Sequence, residues 1–211
     1  MKTILLSLTF LLAATAVSAQ SDIKLNAPDK TGGKPLMQAF ADRRSDRVFD
    51  TKELSAQDLS DLLWAANGVN RADGKRTAPS AMDRKDVIIY AFLKSGVYVY
   101  DAPTHTLKGV VEGDHRGVVG GNRSNIKVAE VPVILVLASD VSLFGGNNEG
   151  ARMTGAQDVA MVSQNINLLC AGKGLSTVTR GSMDTADIKK LLNLPDHIIP
   201  MLNNLVGYPK K

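Results

Sequence analysis

The sequence predicts an α+β domain, a mixed but mainly antiparallel sheet surrounded by helices. Two stretches repeat apolar residues at helical spacing, one over 55–68 and a longer one over 151–171. Between and after them lie short β-branched and aromatic runs, "VIIYAFLKSGVYVYDA" and "VPVILVLAS", with the period and length of strands. Helices packed about a sheet follow from that order.

The first helix of the body begins after Pro35, a residue suited to a helix start, and runs to Arg43 with Leu36, Met37, Ala39 and Phe40. In "SAQDLSDLLWAANG", Ser55 caps, Asp58 sits three residues on, Leu59, Leu62, Leu63 and Ala66 make the apolar face, and Gly68 stops the helix. Trp64 on that helix is expected in the core. A polar loop with Gly74 and Pro79 follows. Lys94-Ser95-Gly96 breaks the next apolar run into a hairpin, and "THTLKGVV" extends the meander. Residues 114–125, rich in glycine, are expected to be irregular. "VPVILVLAS" has almost no polar alternation, so it reads as a strand covered on both faces. Val159, Val162, Ile166 and Leu169 mark the long helix, which ends near Gly172 and Gly174. "LSTVT" is a strand, 184–192 a helix with Ile188 and Leu191 inward, and "NNLVGYP" a terminal strand.

Three parts are expected along the 211 residues. Residues 1–19 have one cation, an apolar run and small residues before Gln20, which is the pattern of a secretory signal peptide and implies a periplasmic or secreted protein. Residues 20–35 are polar, with two glycines and two prolines, and read as a flexible leader. Residues 36–211 form one domain. No segment is long and apolar enough to span a membrane. With the single cysteine Cys170, no internal disulfide forms, and its place late in an apolar helix predicts a small buried hydrophobe rather than a nucleophile. The formal charge of +4 is spread without a basic block, which argues against a nucleic-acid partner.

Several chemistries lack their motifs. His105, His115 and His197 stand apart with no ligand spacing, so no metal site is expected. There is no G-x-S-x-G elbow, no G-x-G-x-x-G after a strand and no phosphate-binding G-x-x-x-x-G-K. What stands out is "RRSDRVF". Arg43, Arg44, Ser45 and Arg47 put planar guanidinium donors and a hydroxyl where a helix gives way to irregular chain, a set suited to phosphate. On spacing alone a solvated basic turn, with Asp42, Asp46 and Asp50 as local partners, is the commoner outcome.

Several segments in order shift that balance. Arg43-Arg44-Ser45, Phe49, Trp64-Ala65-Ala66-Asn67-Gly68 and Arg76-Thr77-Ala78-Pro79-Ser80-Ala81 are followed by "GVYVYDAPTHTL", "GAQDVAMVSQNINLLCAGKGLSTVTRG" and "LVGYP". Together they resemble the nitroreductase-like flavin family, in particular its peptide-azoline dehydrogenase branch, over most of residues 36–209. The resemblance implies flavin mononucleotide (FMN) bound at the interface of a homodimer, with two-electron chemistry on the flavin and no catalytic side chain. Arg43 and Ser45 would hold the phosphate and ribityl chain with Arg44 beside them, and Arg47 would sit near the pyrimidine edge of the ring. Pro79, Ser80 and Ala81 would come from the other subunit. The turn 179–182, including Arg180 and Gly181, would approach N5 with backbone groups. The partners implied are a small organic substrate and NAD(P)H. Two departures keep a second reading open. Residues 82–87, "MDRKDV", replace the Gly or Asn pattern that usually follows, and the chain ends early at "GYPKK". A non-catalytic binding or interaction module on the same fold is that alternative.

Overall fold

A computed structural model describes residues 20–120 and 126–210. The signal peptide expected over 1–19 lies outside the described residues, as do 121–125 and Lys211. Seven strands form one sheet: β1 (Ile23–Lys24), β2 (Val87–Leu93), β3 (Gly96–Asp101), β4 (Thr106–Glu112), β5 (Val133–Asp140), β6 (Ser176–Arg180) and β7 (Ile198–Gly207), in the order β1-β4-β3-β2-β5-β7-β6. Five α-helices pack on it: α1 (Leu36–Asp42), α2 (Ala56–Asn67), α3 (Arg116–Gly120), α4 (Glu149–Lys173) and α5 (Thr185–Leu191).

Centrality follows from composition. β5 is buried along nearly its whole length, and its side chains alternate between two cores. Leu135 and Leu137 meet Leu62, Leu63, Val159, Val162 and Ile166 of α2 and α4 on one face. Ile134 and Val136 meet Val119 of α3 and Ile188 of α5 on the other. Both faces are covered, as the unbroken apolar run predicts.

Helix α2 is capped as expected. Ser55 Oγ accepts Asp58 N–H at 3.0 Å and donates to Asp58 Oδ2 at 2.7 Å. Tyr208 O–H adds a 2.7 Å bond to the same carboxylate, tying the C-terminal stretch to this helix start. Helix α4 runs 25 residues from an Asn148 cap to Gly174, whose φ of 71° places it in the left-handed region that a glycine tolerates. Beside β5, an added Cβ on Gly155 would meet Ser139 Oγ at 2.3 Å, so only glycine lets helix and strand approach this closely.

Four expectations are corrected. Every strand pair is antiparallel, so the sheet is not mixed. The 20–35 leader is docked rather than flexible: β1 adds to the edge of β4, Leu25 is buried, Asp29 N–H donates to Asp61 Oδ1 at 2.8 Å, and Lys34 N–H donates to Gly172 O at 3.0 Å. Within 114–125, α3 forms because Asp114 accepts from Arg116 Nε and Nη2 at 2.9 and 2.6 Å, while Arg116 Nη1 reaches Val131 O at 2.8 Å. Trp64 is half-buried, its Nε1 donating to Val69 O, with Lys30 5.4 Å from its ring centre.

Candidate functional site

The arginine run begins at the last turn of α1, where Arg43 N–H closes on Ala39 O at 3.0 Å. From there its backbone is fastened to the end of the sheet. Asp46 N–H donates to Thr177 O of β6 at 2.9 Å, Phe49 bridges to Pro209, and Asp50 N–H donates to Tyr208 O at 2.9 Å. The backbone is held while the side chains of Arg43, Arg44, Ser45 and Arg47 stay exposed. Arg44 Nε pairs with Asp46 at 2.9 Å, and Lys34 pairs with Asp42 at 2.6 Å. Arg43 and Arg47 have no ion-pair partner among the described residues. The local-carboxylate reading therefore holds for Arg44 and not for Arg43 or Arg47. A cavity of about 270 Å³ lies against this turn, lined by the pairs Lys34–Asp42 and Arg44–Asp46 and by Asn167, Ser176 and Thr177.

The turn after β6 is built from below. Asn203 Nδ2 donates to both Arg180 O and Ser182 O at 3.2 Å, fixing the backbone on either side of Gly181. Gly181 is exposed, and an added Cβ there would meet nothing within 4 Å, so its backbone is open to approach. Arg180 donates from Nη2 to Ser182 Oγ at 3.2 Å, while its Nη1 is buried without a partner; burial holds its pKa below the ordinary arginine value. Under the turn, Asn204 Nδ2 donates to Thr179 Oγ1 at 3.0 Å, and Ser163 Oγ donates to Asn204 Oδ1 at 2.9 Å. Asn167 Nδ2 reaches the same threonine hydroxyl at 3.1 Å. Sequence reasoning missed this network. The available signal was Asn203-Asn204, two residues disfavoured in strands, inside an apolar strand.

Pro79, Ser80 and Ala81 stand on the other side of α4. Ala81 N–H donates to Asp158 Oδ2 of α4 at 2.7 Å, and Ser80 Oγ accepts Lys85 N–H at 2.9 Å. The following residues Met82, Asp83 and Lys85 have φ of 53°, 53° and 55°. Met82 stands directly after the Pro-Ser-Ala segment, where the resemblance leads one to expect Gly or Asn, and side chains with a Cβ pay about 1–2 kcal/mol in this left-handed backbone. Behind the segment, Asp86 is buried and hydrogen-bonded to Ser139 Oγ, with Asp158 as its carboxyl neighbour. Burial, with Asp158 adding to it, pushes the Asp86 carboxyl up to about 7.

Segment 79–81 and the arginine turn line different cavities. The first is the 270 Å³ cavity on the β6 side of α4; the second, about 200 Å³, takes in Pro79, Ser80 and Val162. Cys170 is fully buried, its thiol pushed up to about 12 by burial, which makes it inert as a nucleophile. His105 lies between Tyr100 O–H and Ser60 Oγ, both at 2.8 Å, as a satisfied interior residue. No cluster of three metal-ligating side chains and no helix long and apolar enough to cross a membrane occurs among the described residues.

An all-antiparallel sheet crossed by one long helix, with an exposed arginine turn at one cavity and the Pro-Ser-Ala segment, followed by left-handed backbone, at another, is an α+β architecture. The nitroreductase family pattern matches residues 40–208. A protein of Methanocaldococcus jannaschii, named as a nitroreductase, is 27% identical over 184 residues, covering 82% of this chain and 90% of that protein. A crystal structure from Ralstonia eutropha, titled a nitroreductase, superposes with a TM-score of 0.83 at 30% identity, covering 92% of each chain. A Staphylococcus epidermidis protein named an NADPH-dependent oxidoreductase is 37% identical over 76 residues, which is 35% of this chain and 30% of that protein. The chain belongs to the nitroreductase family and is an oxidoreductase; members of that family generally use FMN. The match is to the family and does not divide its branches.

Proposed function

We propose that the protein is an exported, homodimeric oxidoreductase that binds FMN at the arginine turn and passes two electrons to a small organic substrate. The observation that carries this reading is the pair of unpaired guanidinium groups, Arg43 and Arg47, beside the free Ser45 hydroxyl on a backbone fastened to β6. Such a donor set fits a phosphate and a polyhydroxyl chain, and a fixed backbone lowers the entropic cost of binding one. In the adjoining cavity Lys34 and Arg44 are already paired with Asp42 and Asp46, so the positive potential comes from Arg43 and Arg47, while Asn167 and Ser176 add hydrogen-bonding walls.

When bound, the flavin supplies hydride acceptance and donation, so no nucleophile or acid–base pair is required of the protein. Arg43 and Ser45 would anchor the phosphate end. Arg47 would place a cation near the pyrimidine edge, which favours negative charge there. The Asn203 clamp fixes the backbone on either side of the exposed Gly181, whose backbone groups would meet the redox edge of the flavin. Pro79 and Ser80, contributed by the partner subunit, would exclude water from the ring face. NAD(P)H is the electron donor this reading favours; the NADPH dependence in the name of the Staphylococcus epidermidis relative supports it. Export rests on the composition of residues 1–19.

Titrating the purified protein with FMN, followed by flavin absorbance and fluorescence, tests the proposal. We expect a coloured complex, bleached by NADH or NADPH, and an affinity lowered at least about tenfold in the Arg43→Ala/Ser45→Ala double variant, since each lost charged hydrogen bond costs about 1.5–3 kcal/mol. A folded protein that stays colourless with excess FMN would support the non-catalytic binding module instead.

A further inference from the structure

The second cavity, beside Pro79 and Ser80, has a charge pattern that FMN binding at the arginine turn does not use. Four cations line it, Arg71, Lys75, Arg76 and Lys85, against one carboxylate, Asp83. Lys85 is paired with Asp83 at 3.2 Å, and Lys75 with Asp73 at 3.5 Å. The two guanidinium groups are left uncompensated. Arg71 Nη2 donates only to a neutral carbonyl, Arg76 O, at 3.3 Å. Arg76 is half-buried, and its Nε is buried with no hydrogen-bond partner. Asp83, Asp86 and Asp101 attract it from a distance, yet none pairs with it.

Desolvating a permanently charged guanidinium without a partner is costly, and proteins rarely leave one so. Its backbone is fixed, bridging to Val69 and accepting from Arg71 at its carbonyl. The rest of the lining mixes the apolar Ala78, Pro79, Val87 and Val162 with Asn67 and Ser80. A cavity of about 200 Å³ lined by two guanidinium groups and by apolar side chains suits a single-ring or short-chain body carrying one oxyanion.

We propose that this cavity is an oxyanion subsite, with Arg76 as the specificity-determining residue for the small molecule that exchanges electrons beside segment 79–81. This rests on the flavin reading above for its role in turnover, while the anion binding itself stands on the cavity alone. The oxyanion has two sources, a carboxylate on the organic substrate or a phosphate on the nicotinamide donor.

The test measures binding by 19F NMR on the purified protein, with and without FMN. The probes are 4-(trifluoromethyl)benzoate and its neutral counterpart 4-(trifluoromethyl)benzyl alcohol. We expect saturable binding of the benzoate, at least about tenfold tighter than that of the alcohol. Arg76→Gln should erase that preference while keeping its circular dichroism and its FMN affinity. Where Arg76→Gln does not fold, the double variant Arg71→Gln/Lys85→Gln should cut the preference by about threefold or more. Displacement of the benzoate by NADPH alone assigns the oxyanion to the donor's 2′-phosphate, and displacement by both NADPH and NADH to the donor's diphosphate; displacement by neither assigns it to the substrate carboxylate. Equal binding of the two probes by the wild type, or an intact preference in folded Arg76→Gln, overturns the proposal. Loss of FMN affinity in Arg76→Gln also overturns it, because the guanidinium then serves the cofactor. Benzoate preference in a protein that binds no FMN would sink the flavin reading and leave the subsite standing.

Discussion

Asp86 shows how one residue links the sheet to the site. Its carboxyl is buried beside Asp158, whose own oxygen holds the Ala81 N–H, so the charge state of the pair bears on the Pro-Ser-Ala segment. The folded-state pKa, raised to about 7, lies above the ordinary aspartate value near 4. Below about pH 4 both folded and unfolded chains carry the proton. Between about 4 and 7 the unfolded chain releases it while the folded chain keeps it, so stability falls as pH rises through that window and the loss is complete above 7. Asp86→Asn keeps the shape of the protonated acid without the titration. We expect the melting temperature of the variant, measured relative to wild type, to rise by at least about 4 °C between pH 4.5 and 7.5. A pH-independent difference would show that Asp86 is not held protonated. Met82, Asp83 and Lys85 make the complementary point, since their left-handed backbone is invisible in residue identities that do not favour it.

At the scale of elements, legibility tracked how local the cause was. α2 and α4 were readable because spacing, cap and stop residues all lie within the segment, and β5 because an unbroken apolar run has few other fates. Strand direction was not, since nothing in "LSTVT" says how β6 will lie against β7. β1 depends on a residue more distant still. Gly109 of β4 leaves the space that Gln20 fills: a Cβ there would lie 1.8 Å from Gln20 O, and the Gly109 N–H donates to Asp22 Oδ1 at 2.9 Å. The polar composition of 20–35 suggests a flexible leader, but the edge of β4 supplies the partner that docks it. In the candidate site, the arginine turn and segment 79–81 were legible as motifs. The Asn203, Asn204, Ser163 and Asn167 network was not, because each residue looks like a surface polar group until the fold gathers them. Gly109→Ala should therefore release the N-terminal edge without unfolding the body. We expect faster limited proteolysis within residues 20–34, with a melting temperature lowered by about 2–6 °C. Protease resistance equal to wild type would show that β4 tolerates the methyl group.

At the scale of the molecule, the arginine turn and the Pro-Ser-Ala segment line separate cavities among the described residues, as the flavin proposal requires if each chain is to contribute half of a site. The same molecule exposes Leu36, Met37 and Phe40 on α1, at 62, 77 and 50%, and Met153 and Met161 on α4, at 60 and 50%. Large apolar side chains exposed together on α1 mark a surface that gains by being covered. A second copy, covering that surface while bringing its own Pro79 and Ser80 to the arginine turn, would join the two needs. Dimerisation and flavin binding are then linked, each strengthening the other by mass action. Phe40→Glu puts a charge on the exposed face and leaves the buried Ala39 contact untouched. Light scattering after size exclusion should show a dimer for wild type and a monomer for the variant, with FMN affinity falling at least about tenfold although no residue of the phosphate clamp has changed. A monomeric variant with wild-type FMN affinity would break the linkage and place the whole cofactor site within one chain.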